Sequence, residues 1–125
     1  MNENELSYQI IGAALKVHKN VGPGLLESAY ESALAFELKM SGYEVREQVA
    51  LPFVYFTVKL EAGYRVDMMV NNMIIIEIKS VEVLLPVHYA QLLTYLRLTG
   101  LKLGLLINFN EVNLKDGVHR VVNNL

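Results

Sequence analysis

Asp67, Glu77 and Lys79 are the residues of this chain whose types and spacing suit joint chemistry. They lie in Y-R-V-D-M-M-V-N-N-M-I-I-I-E-I-K-S-V, residues 64–81, where charges interrupt two apolar, β-prone runs. A strand projects alternate side chains to opposite faces, so Ile75, Glu77 and Lys79 share one face and Ile74, Ile76 and Ile78 the other. Two carboxylates can hold a hard cation through oxygen, and Mg²⁺ favours one or two of them, with water and substrate phosphate completing its shell. A neighbouring lysine could orient or deprotonate an attacking water, or neutralise charge on a phosphoryl transition state. Such a set suits phosphodiester hydrolysis. The bland alternative is a half-exposed strand face with a structural Glu77–Lys79 pair. Surface pairs contribute only about 0 to 1 kcal/mol, too little to force charges into an isoleucine run.

Parity decides whether Asp67 joins the other two. A two-residue turn at Asn71-Asn72 is the obvious hairpin, because Asn tolerates the positive φ of a type I′ turn. That register pairs Asp67 with Ile76 and turns it away from Glu77. A connection one residue longer, or a bulge, brings both carboxylates to one face. If the three charges act together, the longer or bulged connection is required.

The elements that must position them are read in order. A first amphipathic helix over residues 5–19 carries Leu6, Ile10, Ala13, Ala14 and Val17 at helical spacing. It stops at Asn20-Val21-Gly22-Pro23-Gly24, a cluster of breakers. His18 near its end suits the negative pole of the helix dipole better than a phosphate contact. A second helix over 26–40 closes at Ser41-Gly42, with Gly42 suited to a left-handed cap. Glu27 in its first turn complements the dipole, and Tyr30 three residues on shares its face.

Tyr43–Val49 and Leu51–Val58 read as an extended pair or one bent strand around Pro52, which belongs at an edge or bend because it lacks an amide donor. Residues 58–63 read as the turn into the central hairpin. The second hairpin strand is nearly continuous in Ile and should be buried on both faces. A third helix over 87–99 has Pro86 for its first turn and Gly100 for its end. His88, Gln91 and Tyr95 form a polar stripe on it. A buried strand over 102–108 and a short edge strand over 117–122 complete an α/β (α+β) pattern, a mixed sheet with helices on both sides.

Length and composition bound this reading. The 125 residues suit a single domain spanning 1–125, with one core. Hydrophobic residues make up 53% and charged ones 19%, a globular composition. No apolar run reaches membrane-spanning length, so no membrane partner is expected. The opening M-N-E-N-E-L-S lacks the basic start and apolar core of a secretory signal, so a cytoplasmic protein is expected. The absence of cysteine excludes disulfides and thiolate chemistry. A net charge of −2 argues against holding nucleic acid by bulk electrostatics alone, so phosphate handling needs local positive charge, which a bound divalent ion supplies. The content of Leu and Ile, with strands left at an edge, is compatible with a homodimer.

Three motifs carry a resemblance. G-Y-R-V-D ending at Asp67, ten residues before the Glu77 of E-I-K, is similar to the D…(D/E)-x-K signature of the PD-(D/E)XK nuclease superfamily. Gly24-Leu25-Leu26-Glu27-Ser28-Ala29-Tyr30 resembles the pattern that names the GxxExxY proteins, a small family within it. Gln91-Leu92-Leu93-Thr94-Tyr95 looks like the Q-x-x-x-Y element of its RecB-like branch. Each motif alone is weak, but three in the right order on helix, hairpin and helix are much stronger. Val66 stands where the superfamily usually has Pro.

The resemblance implies a restriction-endonuclease-like core and a nuclease acting on DNA or RNA. Asp67 and Glu77 would ligate Mg²⁺ or Mn²⁺, with the backbone carbonyl of Ile78 as a third ligand, and Lys79 would act on the water or the transition state. It also replaces the dipole reading of Glu27 with a place at the metal's edge. Gln91 and Tyr95 would position the phosphate or Lys79, with His88 on the same stripe and Tyr30 beside Glu27 as further positioning residues. The alternative function is a nuclease-fold module that binds nucleic acid or a protein partner without catalysis. A structural dimer whose charges are incidental is a third.

Overall fold

The computed structural model describes the backbone of all 125 residues and the side chains of all but residues 60–62. Two helices come first, α1 (Glu3–Val21) and α2 (Glu27–Met40), followed by the hairpin strands β1 (Val45–Tyr55) and β2 (Val58–Val70). Then come β3 (Ile74–Lys79), α3 (Pro86–Thr99), β4 (Leu103–Asn108), a 3₁₀ turn (Leu114–Gly117) and β5 (Val118–Val122). The strands form one sheet in the order β1-β2-β3-β4-β5. Only β3 and β4 run parallel, and α3 makes the crossover that a parallel pair needs.

Why these residues form these elements follows from burial. On α1, Leu6, Ile10, Ala14 and Val17 recur at helical spacing and sit against one face of the sheet with Tyr30, Leu34 and Leu38 of α2. That face supplies Ile74, Ile76 and Ile78 from β3 and Leu103, Leu105 and Ile107 from β4. The opposite face packs Ile75 and Leu106 against Leu92, Tyr95 and Leu96 of α3. Helices therefore cover both faces, and β3 is buried from Ile74 to Ile78, as its run of isoleucine predicts. Each fully buried Leu or Ile contributes roughly 1.5–3 kcal/mol.

Local chemistry sets the ends. Asn2 caps α1 by accepting the Glu5 N–H at 2.8 Å. Pro86 opens α3 and Gly100, at φ +73°, closes it in the left-handed region. The sheet and α3 approach closely at Gly104, where an added Cβ would lie 2.7–3.0 Å from the Leu92 side chain.

The reading of one bent edge strand around Pro52 holds, and one turn lies elsewhere than the sequence suggests. β1 is one strand whose register shifts between Leu51 and Phe53, so Pro52 sits at the irregularity of an edge strand, where its missing donor is harmless. Residues 58–63, read as a turn, belong to β2 instead, and the chain reverses at Phe56-Thr57 with Phe56 at φ +55°. Phenylalanine gives no turn signal, whereas Gly63 does, which is why the reversal was misplaced.

Candidate active site

The central hairpin closes through three residues, Asn71 to Met73, with Val70 paired to Ile74 and Met68 to Ile76. Asn71 and Asn72 take φ of +51° and +52°, and Asn71 is tied back to Glu44 through both its backbone N–H and its side chain. This is the longer connection that parity demanded. One step further along the register Asp67 stands opposite Glu77, and there the ladder stops.

At that point the strands exchange side-chain bonds in place of backbone ones. Asp67 Oδ2 accepts the Ile78 N–H at 2.8 Å, and Glu77 Oε1 accepts the Asp67 N–H at 3.4 Å. The Asp67 carboxylate thus fills a backbone partner's place between β2 and β3. The alternation of β2 slips here too, since Val66 joins the core under α3 whereas Met68, two residues on, joins the core under α1 and α2. Lys79 carbonyl bonds the Phe109 N–H on the β4 side, so alternation along β3 aims the Ile78 carbonyl toward β2 and Asp67.

The electrostatics follow from this crowding. Burial pushes the Glu77 carboxyl up to about 9, and the charge of Asp67 and a hydrogen bond to it add to the rise, with Lys79 offsetting only part. Tyr95 is 5% exposed, and burial followed by the charges of Glu77 and Asp67 raises its phenol. Glu77 therefore sits in the field of Asp67 and Lys79, and Tyr95 in that of Glu77 and Asp67.

The remaining sequence-derived residues spread around this group. Glu27, exposed at the start of α2, accepts the Ser80 N–H at 3.2 Å, while Ser80 Oγ donates to the Leu25 carbonyl at 2.7 Å. Those bonds tie the loop before α2 to the residue after Lys79. Gln91 is exposed one turn before Tyr95 on α3 and, among the described residues, bonds neither carboxylate. His88 is half-buried, and its Nδ1 accepts the Leu85 N–H at 3.0 Å, so that nitrogen caps α3 and is not free to position a ligand.

Tyr30 is 0% exposed, so it acts from the core and does not touch a substrate. Its ring stacks on Phe109 at 4.5 Å, and its hydroxyl donates to the Gly22 carbonyl and accepts the Leu25 N–H. It braces the loop that delivers Glu27. His18, likewise, bonds the Glu111 carbonyl at 2.7 Å and serves the packing of α1.

Three residues at the site escaped sequence reasoning. Gln48, in β1 opposite Asp67, has φ +51° and drops out of a ladder that pairs Glu47 with Met68 and Val49 with Val66. Its Nε2 donates to Glu31 Oε1 at 2.8 Å and reaches Asp67 Oδ1 at 3.5 Å, while Arg65 donates to its carbonyl at 3.1 Å. Glu31 is lifted to about 7 by burial, with the Gln48 bond opposing and the Asp67 charge adding. Asn108, fully buried at the end of β4, accepts the Val81 N–H at 3.1 Å and donates to the Val81 carbonyl at 2.9 Å, fixing the loop after Lys79. Glu31 lies four residues beyond Glu27, a helical turn that could have signalled it; the other two depend on long-range pairing.

Among the described residues, no three His, Cys, Asp or Glu side chains close into a metal cage. The donor set still fits a hard divalent ion, because Mg²⁺ is commonly held by one or two carboxylates and otherwise by water and phosphate. Two acids crowded together, one of them pushed up by burial and then by the other's charge, are also what a cation would relieve.

A family model described as the PD-(D/E)XK nuclease superfamily matches residues 4–121, nearly the full length. No curated protein and no solved structure matches the chain. An Asp and a Glu-x-Lys facing each other across splayed strands of a mixed sheet, in the α+β restriction-endonuclease-like arrangement, agree with that match, and the chain belongs to the PD-(D/E)XK nuclease superfamily.

Proposed function

We propose that this protein is a Mg²⁺- or Mn²⁺-dependent phosphodiesterase acting on nucleic acid, of the GxxExxY type and with the α3 stripe of the RecB-like branch. The observation that carries it is the opposition of Asp67 and Glu77 where β2 and β3 part, with Lys79 next on the same strand face. Asp67 and Glu77 would hold the ion, with the Ile78 carbonyl and Glu27 beside them. The ion, when bound, supplies Lewis-acid stabilisation of the phosphoryl group and a more acidic water.

The residues of the chain do the rest. Lys79 brings a positive charge to the face where the phosphate would develop negative charge, or takes the proton of the attacking water. Burial at Glu77 and Tyr95 excludes bulk water on the α3 side, which strengthens each of these interactions. Asn108 and Ser80 hold the loop that follows Lys79, and Gln91 faces solvent where a phosphate can reach it.

The test is cleavage of labelled single-stranded, duplex and RNA substrates with Mg²⁺, with Mn²⁺ and with EDTA. Cleavage should need the metal, and Lys79→Ala and Glu77→Ala should each lower it by about 10² to 10⁴-fold with the fold intact. Metal-independent cleavage, or full activity in both variants, would rule the proposal out.

A further inference from the structure

The β1–β2 hairpin carries a row of aromatic rings that the proposed chemistry does not use. Phe56 and Tyr55 lie 4.6 Å apart at its tip, Tyr55 and Phe53 6.3 Å apart, and Phe53 and Tyr64 6.3 Å apart. Tyr64 then meets Tyr95 at 6.3 Å, and Tyr95 lies in the field of Asp67 and Glu77. The rings thus run without a break from the exposed hairpin tip to Tyr95 on α3. Phe56 is 84% exposed, Tyr55 57% and Tyr64 41%, so these rings present open faces to solvent.

From this row we infer that the hairpin is a stacking platform for single-stranded nucleic acid, feeding an unpaired strand toward the site; the inference rests on the nuclease reading above. Two observations select that occupant over a duplex. Aromatic faces can only stack on bases that are splayed out, which a duplex withholds and a single strand offers. A net charge of −2 and a pI of about 5.9 argue against holding duplex phosphates by bulk electrostatics, so stacking with a few local cations is the better source of affinity. Those cations are present. Lys59 and Arg65 line a cleft of about 470 Å³ with Leu51, Pro52 and Tyr64, and residues 49–58 contain no acid.

The row also ends in the right place. Glu77 and Lys79 project to the face of the sheet that α3 covers, and Tyr64 reaches Tyr95 of α3 on that same face. Bases held on Tyr55, Phe56 and Tyr64 would therefore leave the adjoining phosphates directed at Lys79, without crossing the sheet.

Fluorescence anisotropy of labelled dT15, with the full chain in EDTA to stop cleavage, tests this. The protein should bind dT15 more tightly than the corresponding duplex, and raising NaCl from 50 to 200 mM should weaken binding by less than ~10-fold, against ~10³-fold or more for proteins held by six or more phosphates. Tyr55→Ser/Phe56→Ser should lose about 10-fold or more, roughly the worth of one stacked base, while Tyr55→Trp/Phe56→Trp should keep wild-type affinity. Thermal unfolding of each variant checks that the fold is kept.

Equal dT15 binding by the serine variant, tighter binding of the duplex, or no binding of dT15 would each overturn the inference. So would a wild-type dimer that the serine variant converts to monomer with dT15 affinity unchanged, since the rings would then be a contact between copies. Metal-dependent cleavage is measured separately. Cleavage that survives unchanged in the serine variant sinks the platform and leaves the nuclease reading standing, whereas dT15 binding without any cleavage does the reverse.

Discussion

Glu77 is the residue on which burial and charge act most strongly. Its carboxyl is held near 9 in the folded chain against an ordinary value of 4.5, so between those limits the folded state binds a proton that the unfolded state has released. Metal-free stability therefore falls as pH rises through that window, and denaturant midpoints in EDTA at pH 5, 7 and 9 should decline in that order. Glu77→Gln should flatten the decline. Gln48 shows the opposite trade. A non-glycine residue in the left-handed region costs roughly 1–2 kcal/mol, so Gln48→Gly should stabilise the fold by about that amount in chemical denaturation. The same variant removes the amide that reaches Glu31 and Asp67, and calorimetric Mn²⁺ titration should show weaker binding. An unchanged affinity would mean that the amide does not orient Asp67.

Element by element, the sequence disclosed what local periodicity controls. The apolar stripe of α1, the limits of α3 between Pro86 and Gly100, and the isoleucine run of β3 were all legible, because each is set within a few residues. The facing of Asp67 and Glu77, the heart of the site, was legible only on the premise that the three charges act together, because Asn71-Asn72 alone suggests a two-residue turn that would separate them. Contacts made by distant pairing were not legible. The displacement of Gln48 depends on how β1 meets β2, and the clamp of Asn108 on Val81 joins residues 27 apart in the chain. Tyr30 looked like a neighbour of Glu27 on one helix face, yet that face turns inward at Tyr30. The packing of α3 on the sheet makes its own prediction. Gly104→Ala should cost about 1–3 kcal/mol in denaturant unfolding, because the new methyl group meets the buried Leu92 and no free space takes it. Asn108→Ala should cost a similar ~1–3 kcal/mol by leaving the Val81 N–H without its partner and the Val81 carbonyl with only the long 3.4 Å bond from Asn110 Nδ2.

For the whole molecule, one sheet with helices on both faces brings an acid from β2, an acid and an amine from β3, and a phenol from α3 to the place where two strands separate. Among the described residues no helix is long and apolar enough to cross a membrane. The overall charge is mildly negative, so the cation that phosphate chemistry requires must be concentrated at that place, from Lys79 and from an ion between the carboxylates. Asp67 and Glu77 are crowded without such an ion, and binding one should raise the melting temperature, more at pH 8 than at pH 5 because protons compete for Glu77. The most direct measurement is a crystal soaked in Mn²⁺ and examined for anomalous density. The account predicts a peak between Asp67 and Glu77, about 2.0–2.3 Å from an oxygen of each. Density confined to other acids, or none beside this pair at full Mn²⁺ loading, would contradict it.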